Sequence, residues 1–92
     1  MAYNNLGYVY EYLGRFEEAI KYYKQAIKIK PDFVLAHENL ANLVDARYRS
    51  GITHLKNGNK DSALKEYEIL KTIDANMANE LLKIINKDKM KK

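Results

Sequence analysis

The chain contains no cysteine and no tryptophan, and only one proline and four glycines in 92 residues. Without cysteine there is no disulfide framework, no thiolate nucleophile and no cysteine-ligated metal site. So few prolines and glycines leave few places to break a helix, which argues against a fold of many short strands. No apolar run approaches the roughly 18 residues that a membrane span requires. The start Met1-Ala2-Tyr3-Asn4-Asn5 lacks the basic-then-apolar pattern of a signal peptide, so a cytoplasmic location is the expectation. Apolar residues make up 47% of the chain, the content of a folded protein. The formal net charge is +4, and residues 87–92 hold four lysines against one aspartate, hence three of those four charges. The excess therefore reads as a disordered basic tail and not as a basic binding face.

What the chain does have is internal repetition. Gly7 and Gly14 are seven residues apart, as are Gly51 and Gly58. Ala19 and Tyr23 stand twelve and sixteen residues after Gly7, and Ala63 and Tyr67 stand at the same distances after Gly51. Tyr3, Leu6, Gly7 and Tyr10 fall on one face of a helix. Gly7 lets a second helix come close. Gly14 suits the positive φ that ends a helix, so the first helix should stop near Leu13. Phe16, Ala19, Ile20, Tyr23, Ala26 and Ile27 form the apolar stripe of a second helix. Pro31 cannot continue that helix, which should end near Lys30, and Asp32 can cap the next. A helical pair of this kind cannot cover its own apolar face and needs a neighbour. The fold class is thus all-α, with about five helices.

The pattern Tyr3-x2-Leu6-Gly7-x2-Tyr10, then Gly14, Ala19-x3-Tyr23, Ala26 and Pro31, resembles the tetratricopeptide repeat family. Tyr3 stands in place of the usual first tryptophan. The resemblance is close over residues 2–32 and looser over 45–74. There Gly51, Gly58, Ala63 and Tyr67 fit, while Arg47, Ser50, His54 and Ala75 replace Tyr3, Leu6, Tyr10 and Pro31. The resemblance implies helical hairpins that bind protein or peptide partners and perform no catalysis.

The family period is 34 residues. A step of 34 takes Tyr3, Leu6, Gly7 and Tyr10 to His37, Leu40, Ala41 and Val44, but then fails; a step of 44 recovers Gly51, Gly58 and Ala63. The second repeat, residues 33–74, therefore reads as one repeat with ten extra residues in its first helix. Ala36-His37-Glu38-Asn39-Leu40-Ala41 and Ala46-Arg47-Tyr48-Arg49-Ser50-Gly51 look like two starts of that helix. No glycine or proline lies between Asp32 and Ser50, so the expectation is one long helix over about residues 33–57. The alternative is a break at Val44-Asp45, with Asp45 as a new cap. Ten residues add about 15 Å of rise. That shift should leave apolar residues of the long helix partly uncovered. The expected self-association set is Leu40, Leu43, Val44, Tyr48, Ile52 and Leu55, serving a homodimer in which hairpins exchange between copies. Residues 75–86 read as a capping helix, with Asp74 or Asn76 at its start and Met77, Ala78, Leu81, Leu82, Ile84 and Ile85 apolar.

Other chemistry finds little support. His37 and His54 are seventeen residues apart, far beyond metal-ligand spacing. Glu17 and Glu18 suit the start of a helix, where negative charge is favoured. No nucleophile elbow and no phosphate loop is present, so neither an enzyme nor a cofactor is expected. Tyr8, Tyr10, Tyr12, Tyr22 and Tyr23 lack the basic stripe that nucleic-acid stacking needs.

The resemblance also implies a peptide groove along the first helices. Its positions here are Asn4, Asn5, Tyr8, Glu11 and Tyr12 in repeat one. Leu35, Glu38, Asn39 and Asn42 follow in the early half of the long helix, and Asp45, Tyr48, Arg49 and Ile52 in the late half. Asn4 and Tyr8 replace the Lys and Asn with which some relatives grip chaperone carboxylates, so that specificity is not carried over. The leading expectation is a non-enzymatic interaction module that self-associates. Its competitors are a monomeric peptide-binding groove and a weak binder of nucleic acid or acidic surfaces.

Overall fold

The computed structural model describes residues 2–90, with side chains through Lys87. Five helices follow one another among these residues: α1 (Ala2–Tyr12), α2 (Phe16–Ile29), α3 (Val34–Lys56), α4 (Lys60–Lys71) and α5 (Ala75–Met90). No strand occurs among them. The long helix is continuous through Val44-Asp45, so the alternative of a break there does not arise. Its ends lie one residue inside the expected 33–57. The capping helix runs past the expected end at Asn86. Residues 87–90 of the expected disordered tail continue α5 instead, and residues 91–92 lie outside the described residues.

The turns follow from local chemistry. Gly14 and Gly58 have φ of 78° and 77°, a region that side-chain-bearing residues avoid. Around Gly14, the Gly14 N–H donates to Glu11 O at 3.0 Å and the Arg15 N–H to Tyr10 O at 2.8 Å. Around Gly58 the same pair recurs, Gly58 N–H to Leu55 O and Asn59 N–H to His54 O. Both are the paired hydrogen bonds that close a glycine-ended helix. Asn59 then caps α4, its side chain accepting from the Ser62 N–H at 3.2 Å. Asp74 caps α5 through the N–H groups of Asn76 and Met77.

The chain divides into two compact units, with the boundary between Leu43 and Val44, inside α3. In the first unit Ala19, Ile20, Tyr23 and Ala26 of α2 are buried, as are Ala36 and Leu43 of α3. Gly7 of α1 meets the ring of Tyr23 so closely that a Cβ there would lie 2.6 Å from two ring carbons. In the second unit Ala63 and Leu70 of α4 form a core with Ala78, Leu81 and Ile85 of α5. Val44, Tyr48, Ile52 and Leu55 from the later part of α3 pack on it. Gly51 meets Leu81 there, where a Cβ would lie 2.7 Å from the nearer methyl. Each unit thus uses a glycine to seat a large side chain, but the side chain comes from a different place.

Candidate protein-binding surface

α1 brings no apolar side chain into the buried core of the first unit. Only Asn4 and Gly7 are buried on it. Its remaining positions turn a large apolar area outward: Tyr8 is 62% exposed, Val9 51%, Tyr12 85% and Leu13, just beyond the helix, 60%. Tyr3 and Leu6 are also exposed, though less so. Ile29, Val34 and Leu35 add further exposed apolar side chains in the same unit. Glu11 is the only charged residue between Ala2 and Tyr12. It accepts a hydrogen bond from the Tyr23 hydroxyl at 2.7 Å. Burial, and then this bond to a carboxylate, push the Tyr23 phenol above its usual range.

The groove positions read from the sequence separate into occupied and open groups. Asn4 is buried and its Oδ1 accepts from Asn39 Nδ2 at 2.9 Å, so these two hold each other. Glu11 is held by Tyr23. Asn5, Tyr8 and Tyr12 on α1 are exposed, as are Glu38 and Asn42 on α3. Arg49 is exposed and paired with Asp45 at 3.2 Å, one helical turn away. Of the self-association set, Leu40 is half-buried; Val44, Tyr48, Ile52 and Leu55 are half-buried and pack on the second unit's core. Leu43 is fully buried within the chain. Among the described residues no three His, Cys, Asp or Glu side chains converge as a metal site would require. Among the same residues no helix is long and apolar enough to cross a membrane.

Two features escaped the sequence reading. One is the outward set Val9, Leu13 and Val34. The other lies in the second unit. Glu66 of α4 is buried, and its carboxylate accepts two hydrogen bonds from Arg47 Nη1, at 3.2 and 3.0 Å. His54 Nε2 stands 3.8 Å from the same carboxylate. The step of 44 residues maps Tyr3, Tyr10 and Tyr22 onto Arg47, His54 and Glu66. In the first unit those three tyrosines form a stack. The ring of Tyr22 lies 5.9 Å from that of Tyr3 and 5.4 Å from that of Tyr10, near-parallel to both. One unit fills the position with aromatic rings and the other with charge, and the step of 44 was the signal that could have found it.

The comparison with known families agrees with this register. Two models described as tetratricopeptide repeat match residues 1–33 and 45–76, together more than half of the chain. The chain belongs to the tetratricopeptide repeat family. Repeats of this family are protein–protein interaction modules. The family is in general a non-catalytic scaffold. The chain is 43% identical over 47 residues to the uncharacterized protein ycf37 of Cyanophora paradoxa, a match covering 51% of this chain and 27% of that protein. It is 47% identical over 38 residues to the protein O-mannosyl-transferase Tmtc3 of Drosophila melanogaster, covering 41% of this chain and 4% of that protein. The chain thus spans about a quarter or less of the curated relatives it matches. No solved structure matches.

Proposed function

We propose that the module binds an uncharged, partly apolar protein segment on the exposed face of α1, with Asn5, Tyr8 and Tyr12 as its principal contacts. The observation that carries this reading is internal. The exposed Tyr12, Val9 and Leu13 of the first unit have Lys56, Thr53 and Asn57 at the equivalent places of the second. The hairpin therefore does not need apolar residues at these positions to fold. Where they are apolar and exposed, a partner is the physical reason for them. Tyrosines suit such a surface, because a rigid ring gives contact area at small entropic cost and its hydroxyl can still hydrogen-bond. Asn5 supplies a donor and an acceptor for a peptide backbone. With Glu11 engaged by Tyr23, the face offers no free charge to attract a charged segment. A cysteine-free module of this kind suits a reducing compartment such as the cytoplasm.

A displayed peptide library screened against the whole chain tests the proposal. Selected sequences should be poor in charge and should lose binding when Tyr8 and Tyr12 are both replaced by serine. Enrichment of strongly acidic or basic peptides that bind the double variant equally well would refute it.

A second reading, self-association, is supported by the length of α3. The family matches begin 44 residues apart, against a family period of about 34. That spacing fits a first helix of repeat two lengthened by ten residues. A homodimer would join copies through the half-buried Leu40, Val44, Tyr48, Ile52 and Leu55. Light scattering across about a hundredfold in concentration decides it. A mass near twice 10.7 kDa would support the dimer, and a constant mass near 10.7 kDa would rule it out.

A further inference from the structure

We infer that Arg47, His54 and Glu66 act as a pairing selector, making the helices of the second hairpin accept one another and refuse those of the first. The need for one arises from the repeat itself. Gly7, Gly14, Ala19 and Tyr23 recur as Gly51, Gly58, Ala63 and Tyr67 at one constant offset. The two hairpins therefore share these positions, although Gly51 meets Leu81 of α5 where Gly7 meets Tyr23, and α1 could seat α4, or the later part of α3 could seat α2. The short turn around Gly14 favours the local partner, because closing a short loop costs little entropy. Between copies, at high concentration or in tandem, that advantage vanishes. Exchange of like elements is a characteristic failure of repeat proteins.

The three equivalent positions are where the hairpins differ most in chemistry. In the first, the Tyr22 ring lies between the rings of Tyr3 and Tyr10. In the second, a buried carboxylate lies against a guanidinium and an imidazole. If α4 paired with α1, Glu66 would exchange the largely buried Arg47 for a site walled by Tyr3 and Tyr10, where the cation at hand is the exposed Arg15 guanidinium over the Tyr10 ring. A buried carboxylate that loses its partner carries a heavy desolvation penalty. If α2 paired with the later part of α3, Arg47 and His54 would face the Tyr22 ring. That mismatch is milder, because a guanidinium can lie over an aromatic face. Glu66 therefore does most of the selecting. Such a pair adds little stability over an apolar pair of the same shape, and specificity is the use that remains for it.

The test transplants the aromatic set. In the triple variant Arg47→Tyr, His54→Tyr, Glu66→Tyr both hairpins carry the same three residues. Circular dichroism should show it helical. In ¹H–¹⁵N spectra the parent should give one amide peak each for Gly7 and Gly51. The variant, refolded at high chain concentration, should give two for each, as Gly7 meets α2 or α4, and Gly51 meets Leu81 of α5 or, with α4 and α5 displaced together, the exchanged α2. The mispaired population should exceed the parent's about tenfold or more. A folded variant with single Gly7 and Gly51 peaks would overturn the inference. If the triple variant does not fold, the reverse transplant Tyr3→Arg, Tyr10→His, Tyr22→Glu is read in the same way. Failure of both to fold would also overturn it, since the selector requires the two sets to be interchangeable within either hairpin.

Discussion

Gly7 and Tyr23 are matched as socket and ring: a methyl group on Gly7 would lie 2.6 Å from Cδ1 and Cε1 and 3.1 Å from Cγ of Tyr23. The ring is fully buried and cannot swing aside. Alanine at Gly7 would gain about 1 kcal/mol of helix propensity. Forcing the ring outward costs typically 1–3 kcal/mol, plus lost contacts, and that effect wins. Gly7→Ala should therefore lower stability by about 1–2 kcal/mol. Gly51→Ala should cost less, because it meets the two methyl ends of Leu81, which can turn about their rotamers. Urea titrations of both variants check the order, and a Gly7→Ala chain as stable as Gly51→Ala would contradict it.

The Tyr23–Glu11 bond sets an alkaline limit. The folded chain holds the Tyr23 phenol protonated above its ordinary range, by burial first and by the bond to Glu11 second. The unfolded chain releases that proton near pH 10. Above that pH the unfolded state binds fewer protons than the folded one, so stability falls as pH rises. Below it the contribution is fully present. The melting temperature should decline above about pH 10 more steeply for the parent than for Tyr23→Phe. At neutral pH that variant should lose about 1 kcal/mol, the worth of one hydrogen bond. Melting curves from pH 8 to 11 measure both.

Much of this was legible in the sequence, and what was missed has a physical reason. The glycine–alanine–tyrosine ruler located both hairpins, because close approach and left-handed turns admit few residue types. The continuity of α3 followed from the absence of glycine and proline between Asp32 and Ser50. Glu66 was not legible as a core residue. A glutamate in a helix reads as solvent-facing, and only a partner nineteen residues away, Arg47, makes its burial tolerable. Asn4 was read as a groove residue for a similar reason, since an asparagine's burial depends on a bond from Asn39, thirty-five residues on. Patterns with a period of 3.6 report which face is apolar. They do not report which polar residue has a distant partner.

Asn4 and Asn39 give the third prediction. Replacing Asn39 by alanine leaves the buried Asn4 amide oxygen without its donor. A buried group left unsatisfied costs about 1–3 kcal/mol. The double change Asn4→Leu, Asn39→Ala removes both polar groups and should recover part of that loss. Stability measured over the four chains of this cycle would show a coupling of about 0.5 kcal/mol or more. Strict additivity would mean that the two amides do not meet in solution.

The last prediction separates binding from folding on α1. Tyr8 and Tyr12 are 62% and 85% exposed, and neither belongs to a buried cluster. Surface substitutions away from packed features usually change stability by about 0.5 kcal/mol or less. Tyr8→Ser with Tyr12→Ser, two such changes, should therefore leave the melting temperature within about 4–8 °C of the parent. If these rings anchor a partner segment, the same change should weaken its binding by about tenfold or more for each anchor lost. Tyr23→Ala should do the opposite, lowering the melting temperature by many degrees before any effect on affinity can be read, because a large buried aromatic lost from the core costs about 3–5 kcal/mol. Calorimetric titration of a selected peptide against the folded Tyr8→Ser, Tyr12→Ser chain gives the answer. Unchanged affinity would move the binding face away from α1, and the exposed tyrosines would then owe their place to something other than a partner.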